Sequence, residues 1–180
     1  ADVQQIEDIK LSANWMAACG APGQDAALFD TVAAVSAFCQ SAGLSIPVGK
    51  DSLSMRTRWQ EPSNHDVNEQ IKEVISPVSL IVTAFAQVQD VRRTLTPVLR
   101  TDVGATSLIF VDLGAGHQRM AGSILAQVTG QLGDQVPDMQ DAAALRAFFV
   151  TVRTLVDSGV VLAYHDRSDG GLFTTLAEMA

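Results

Sequence analysis

Apolar positions change period repeatedly along this chain, and each change marks an element. Ala1–Lys10 is polar and reads as part of a helix, and the segment becomes alanine-rich at Trp15–Cys19. The run "GAPG" at Gly20–Gly23 breaks it. Asp25 is set to cap a helix starting near Ala26, because a carboxylate accepts from the free amides of a first turn. Leu28, Phe29, Val32, Val35, Phe38 and Cys39 form its expected apolar stripe, and Gly43 ends it. Leu44–Val48 reads as a short strand, "GKDS" follows at Gly49–Ser52, and Leu53–Trp59 reads as a second strand of alternating polarity. Glu61–Lys72 is polar, carries Pro62, Ser63 and Asn64, and is expected to be a hairpin loop. Val78–Val88 is apolar at both parities, which predicts a strand buried on both faces and central in its sheet.

Asp90–Thr106 separates two apolar runs and holds Arg92, Arg93, Pro97, Arg100 and Gly104, so it reads as a connector between domains. Beyond it the pattern predicts a strand at Ser107–Asp112, a small-residue loop at Gly114–Ser123, and a helix from about Ser123 to Leu132. Asp141 is expected to cap a helix over Ala142–Asp157 with a stripe of Leu145, Phe148, Phe149, Val152, Leu155 and Val156. Ser158–Gly159 stops it, Val160–Tyr164 reads as a strand, and a last helix begins near Gly171. The whole is an α+β pattern with an antiparallel component. Its last helical pattern has no stop signal at Ala180, and no Met opens the chain, so a piece of something longer is expected.

Composition narrows the function classes. Of the 180 residues 47% are hydrophobic, enough for a real core, yet no apolar run reaches the ~18 residues of a membrane span. The net charge of −8 argues against a nucleic-acid surface, which needs excess Lys and Arg against phosphates. It leaves room for a small phosphorylated ligand in one local pocket. Cys19 and Cys39 lie far apart among apolar residues, so buried free thiols and a cytoplasmic setting are expected.

Three stretches concentrate polar chemistry. "AYHDRSDGGL", Ala163–Leu172, sets His165, Asp166, Arg167, Ser168 and Asp169 between a strand and a helix start. Two carboxylates beside a hydroxyl suit Mg²⁺, which takes one or two carboxylates with phosphate oxygens and water, and helix-start amides favour an anion. Equally open is a structural role, with Asp169 capping the helix, Asp166 and Arg167 paired at the surface, and His165 packed under the turn. "VGKDSLSM", Val48–Met55, offers Lys50 and serine hydroxyls to a phosphate, but lacks Walker spacing; a polar hairpin turn explains it as well. Gly114–Ser123 is either a phosphate-cradling loop or a mobile connector. His65 and His117 are isolated, no GxSxG elbow occurs, and Trp15 beside Asn14 reads as a buried helix-packing residue.

Taken in order, "LSANWMAA", "IPVGKDSLSM", "SPVSLIVTAFAQV" and "AYHDRSDGGLFTTLAEMA" resemble the large single-chain phosphoribosylformylglycinamidine synthases, the formylglycinamide ribonucleotide amidotransferases of purine biosynthesis. The resemblance implies an aminoimidazole-ribonucleotide-synthetase-like α+β fold. Residues 1–90 would be the end of a first-type, ATP-cleft domain, 91–106 a connector, and 107–180 the start of a second-type domain. It implies an ATP-dependent ligase in which an amide oxygen is activated and ammonia displaces it to give an amidine. A glutaminase domain in the remainder of the parent chain would supply the ammonia.

By the same resemblance Asp166 matches a magnesium ligand at a bound ATP or ADP, and Ser168 a nucleotide contact. Lys50, Ser52 and Ser123 match positions near substrate or phosphate. The nucleotide site of this half is implied to be structural, and no catalytic residue is assigned here. The family's catalytic histidine and glutaminase cysteine match nothing in these residues, so the chain alone is expected to be inactive. Two other readings share the fold: a non-catalytic scaffold or interaction module, and another synthetase relative of the selenophosphate or thiamine-phosphate kinase kind. The second lacks "GKDSLSM" and "LSANWM".

Overall fold

The computed structural model describes residues 1–61, 70–139 and 141–180, without the side chains of Glu61 and Gln70. The expected hairpin loop and His65 therefore lie largely outside the described residues. The chain forms two compact units, Ile6–Gln87 and a second one made of Ala1–Gln5 with Val88–Ala180.

In the first unit β1 (Lys10–Met16) leads through α1 (Gln24–Ala42) to β2 (Ser45–Ser52). The strands run parallel, as a βαβ crossover requires. β3 (Arg56–Glu61) and β4 (Gln70–Ile75) form an antiparallel pair, with Arg58 and Glu73 ion-paired across it. β5 (Ser79–Phe85) returns antiparallel to β1, giving a mixed sheet ordered β2-β1-β5.

Two sequence expectations fail here for one reason. Ala1–Lys10, read as part of a helix, holds only the short 3-10 turn Ile6–Asp8 and the first residue of the central strand, and Val78–Val88, expected to be central, supplies the edge strand β5. β1 hydrogen-bonds to neighbours on both sides, and only long-range pairing reveals that. Trp15 is thus a half-buried strand residue.

Helix α1 starts two residues earlier than expected. Gly23 is the N-cap at φ +78°, and Asp25 sits inside the first turn, where its Oδ1 accepts from the Gly20 amide at 3.0 Å. Gly43 closes the helix in the left-handed conformation, its amide donating to Cys39 O and Gln40 O. The covered stripe runs Leu28, Thr31, Val35, Phe38, Cys39 and Ala42 at three- and four-residue steps. Phe29 and Val32 fall off that line and are exposed, contrary to the expected stripe.

In the second unit α2 (Ile124–Val128) is short, and Ser123 Oγ caps it by accepting from Ala126 N at 3.2 Å. Asp141 caps α3 (Ala142–Asp157) as expected, accepting from Ala143 N at 2.8 Å. Its Leu145, Phe148, Phe149, Val152 and Val156 are half-buried, while Leu155 is exposed. α4 (Leu172–Met179) ends the unit with Thr175 and Met179 buried.

The segments Ser107–Asp112 and Val160–Tyr164, expected to be strands, do not form strands, and Ile109 is 83% exposed. A strand needs a ladder of neighbouring backbone groups, and among the described residues Val160–Tyr164 has only one such long-range bond, Tyr164 N donating to Thr96 O at 3.1 Å.

The unit is held at its opening end by charge. Asp2 is 1% exposed, and its Oδ1 lies 2.7 Å from Arg153 Nη1 of α3. Arg93 Nη1 lies 3.6 Å from Asp2 Oδ2, and Asp157 pairs with both arginines.

Candidate functional site

"GKDS" is neither loop nor turn. Gly49–Ser52 continues β2 in register with β1, pairing Ala13 with Gly49, Asn14 with Lys50, Trp15 with Asp51 and Met16 with Ser52. Gly49 is required by close approach: a Cβ there would lie 2.4 Å from Ala13 O. Strand alternation puts Lys50, Ser52 and Asn14 on one face and Asp51 on the other. Lys50 Nζ donates to Ser52 Oγ at 2.7 Å, and both side chains reach solvent. The ammonium keeps two further donors, an arrangement that can take an oxyanion.

The Gly114–Ser123 loop is organised from within. Asp112 Oδ1 accepts from Gly114 N and Oδ2 from Gly116 N, each at 2.8 Å. Those bonds hold the Asp112 carboxyl below the ordinary aspartate range. Two amides that a phosphate would use are therefore already engaged. Ser123 spends a lone pair on its cap and keeps its hydroxyl proton.

The stretch His165–Gly171 folds back on α4. Gly171 is the N-cap at φ +84°, with no side chain capping it, so Asp169 does not serve as the cap. Gly171 N donates to Ser168 O at 2.8 Å. The buried Thr175 accepts from Ser168 N at 2.9 Å, and its hydroxyl lies 3.1 Å from Gly171 O.

Ser168 Oγ donates to Glu178 Oε2 at 2.5 Å, and His165 Nε2 lies 3.1 Å from the same oxygen. The other ring nitrogen, Nδ1, is 2.5 Å from Asp166 O and 3.7 Å from Asp166 Oδ1. Asp166 itself is 90% exposed at its side chain, and its Oδ1 lies 3.7 Å from His165 Nδ1. Tyr164 is raised above its ordinary range by burial and then by the Asp166 charge.

Sequence reasoning missed Thr175 and Glu178. A signal was present: both lie on α4 three positions apart, hence on one face, and Thr175 follows Gly171 by four.

Asp166 and Ser168 belong to one unit, Lys50 and Ser52 to the other. Among the described residues no group of three or more His, Cys, Asp or Glu is arranged around a metal position. One exposed carboxylate nonetheless fits Mg²⁺ held mainly by phosphate oxygens and water. Both cysteines are free, Cys39 buried and Cys19 half-buried. Burial first, and for Cys19 also the hydrogen bond to Asp25, raises both thiols, so neither is an activated nucleophile. No helix among the described residues is long and apolar enough to cross a membrane.

Comparison with known families gives the class: both matching families are ATP-dependent synthetases of purine biosynthesis. Residues 1–87 match the FGAR-AT PurM_N-like domain, and residues 111–180 match the AIR synthase related protein, C-terminal domain. In this order the two matches fit the synthetase region of formylglycinamide ribonucleotide (FGAR) amidotransferase. The chain's α+β fold with small mixed and antiparallel sheets is the AIR synthase-like one. That family binds ATP, typically with magnesium.

Proposed function

We propose that this chain is part of an FGAR amidotransferase, the enzyme that uses ATP and glutamine-derived ammonia to turn formylglycinamide ribonucleotide into its amidine. The observation that carries the reading is the succession of two synthetase families along one polypeptide. The domain plan follows: residues 1–90 end a first-type domain, 91–106 connect, and 107–180 begin a second-type domain. The glutaminase domain belongs to the rest of the parent chain, and the setting is the cytoplasm.

Within this reading Asp166 contributes a carboxylate to Mg²⁺ at a bound ATP or ADP. Its exposure supports the role, because a carboxylate already buried in ion pairs has no lone pairs left for a cation. Bound magnesium would neutralise polyphosphate charge. Ser168 contacts the nucleotide. Lys50, with Ser52 held beside it, offers a point charge and a hydroxyl to a phosphorylated substrate, and the free hydroxyl proton of Ser123 serves a second oxyanion. By the family resemblance the nucleotide site of this half is a structural one.

Calorimetric titration of Mg-ADP into the chain, and into a longer polypeptide containing it, tests the reading. Asp166→Ala should weaken binding by on the order of tenfold or more, since a charge-assisted contact contributes about 1.5–3 kcal/mol. Unchanged affinity in that variant would remove Asp166 from the site. Absence of binding in both polypeptides would favour the scaffold reading.

A further inference from the structure

We propose that Glu178 is a positioning residue that fixes the Ser168 hydroxyl and the His165 ring in the loop leading into α4. The inference rests on the nucleotide-site reading for its consequence, and on the geometry for its substance. One carboxylate oxygen of Glu178 meets two groups of the loop at once, Ser168 Oγ at 2.5 Å and His165 Nε2 at 3.1 Å.

The loop has few other constraints on these side chains. Thr175 holds the Ser168 amide, which fixes the backbone and leaves the hydroxyl free to rotate about χ1. A second contact between the two hydroxyls, at 3.3 Å, is long for an O–H···O bond. Glu178 therefore decides where the Ser168 hydroxyl points.

It decides the His165 ring in the same way. Asp166 O lies 2.5 Å from Nδ1 and Glu178 Oε2 lies 3.1 Å from Nε2, so an acceptor stands at each ring nitrogen and whichever carries the proton has a partner. Asp166 follows directly in sequence, and a fixed ring restricts the backbone that carries its carboxylate. Helix α4 thus sets two neighbouring side chains from one position, placed three residues beyond the buried Thr175 that anchors the same loop.

The test uses the full chain with ¹⁵N-labelled histidine, and Mg-ADP as the probe. Glu178→Ala should move the His165 ring ¹⁵N signals, and should weaken Mg-ADP on the order of tenfold. Glu178→Gln keeps length and an acceptor oxygen, so it should restore affinity to within about threefold, while Glu178→Asp, one methylene short, should not. If Glu178 acts through the serine, Ser168→Ala with Glu178→Ala should lose no more affinity than the worse single variant.

Ring signals unmoved by both Glu178→Ala and Glu178→Gln would overturn the pairing, as would losses that add in the double variant. A wild-type chain that binds no Mg-ADP, yet shows the ring signals moving, would uphold the positioning role and reject the nucleotide reading. A misfolded Glu178→Ala is recognised by its amide spectrum, and the Gln and Asp variants then decide the outcome.

Discussion

Removing the Asp2 carboxylate should unfasten the opening residues from α3. Asp2 is 1% exposed and Arg153 is 11% exposed, so the Asp2→Ala variant leaves a largely buried guanidinium without its buried counter-charge. Breaking a buried pair from one side costs about 3–5 kcal/mol, because the remaining charge stays desolvated. Arg153 keeps Asp157 Oδ1 at 2.5 Å, which favours the lower end, about 3 kcal/mol. For a folding unit of roughly 100 residues each kcal/mol moves Tm by about 4–8 °C, so the transition should fall by about 12 °C or more. Differential scanning calorimetry reads the shift, and hydrogen exchange at the α3 amides assigns it to this unit. Adding Arg153→Met should recover at least about 1 kcal/mol, since an apolar replacement of both partners removes the stranded charge. A shift below about 2 °C for Asp2→Ala, or no recovery in the double variant, would refute the account.

Two further predictions concern local geometry and pH. Gly49→Ala should destabilise the first unit by about 1–3 kcal/mol, because its methyl would meet the backbone oxygen of Ala13 rather than a side chain able to move. Urea unfolding followed by tryptophan fluorescence reads this, since Trp15 and Trp59 both lie in that unit; wild-type stability would contradict the observed strand pairing. Asp102 is held down to about 2, first by hydrogen bonds from Arg100 and then by a backbone bond. A lowered folded value means its charged form is favoured, so any stabilisation is present above the ordinary aspartate range and is lost as pH falls toward 2. Carboxyl-carbon NMR should show that midpoint near 2 and its return toward ~3.9 in Arg100→Gln; equal midpoints would refute the pairing.

What was legible in the sequence was local. The capping aspartate of α3, the glycine stop after α1 and, apart from Leu155, the apolar spacing of α3 depend on neighbours within four residues, and each stands where the pattern put it. The polar stretches were equally legible as chemistry. Asp166 and Ser168 just ahead of a helix start, and Lys50 with Ser52 beside a glycine, differ visibly from their apolar surroundings.

Partnership was not legible. Lys10–Met16 alternates weakly, and its place as central strand comes from hydrogen bonds to β2 and β5, which lie far along the chain. "GKDS" looks like a turn in isolation and is a strand because β1 runs beside it.

The role of Glu178 was hidden for the same physical reason. Its carboxylate sits in an apolar helical pattern and gains meaning only where α4 folds back on the loop. Sequence by itself determined which segments could be helical and which residues carried charge, because those depend on spacing and side-chain chemistry. Tertiary structure alone decided which strand is central and what each polar group touches, because backbone pairing and side-chain contact join residues that the chain keeps apart.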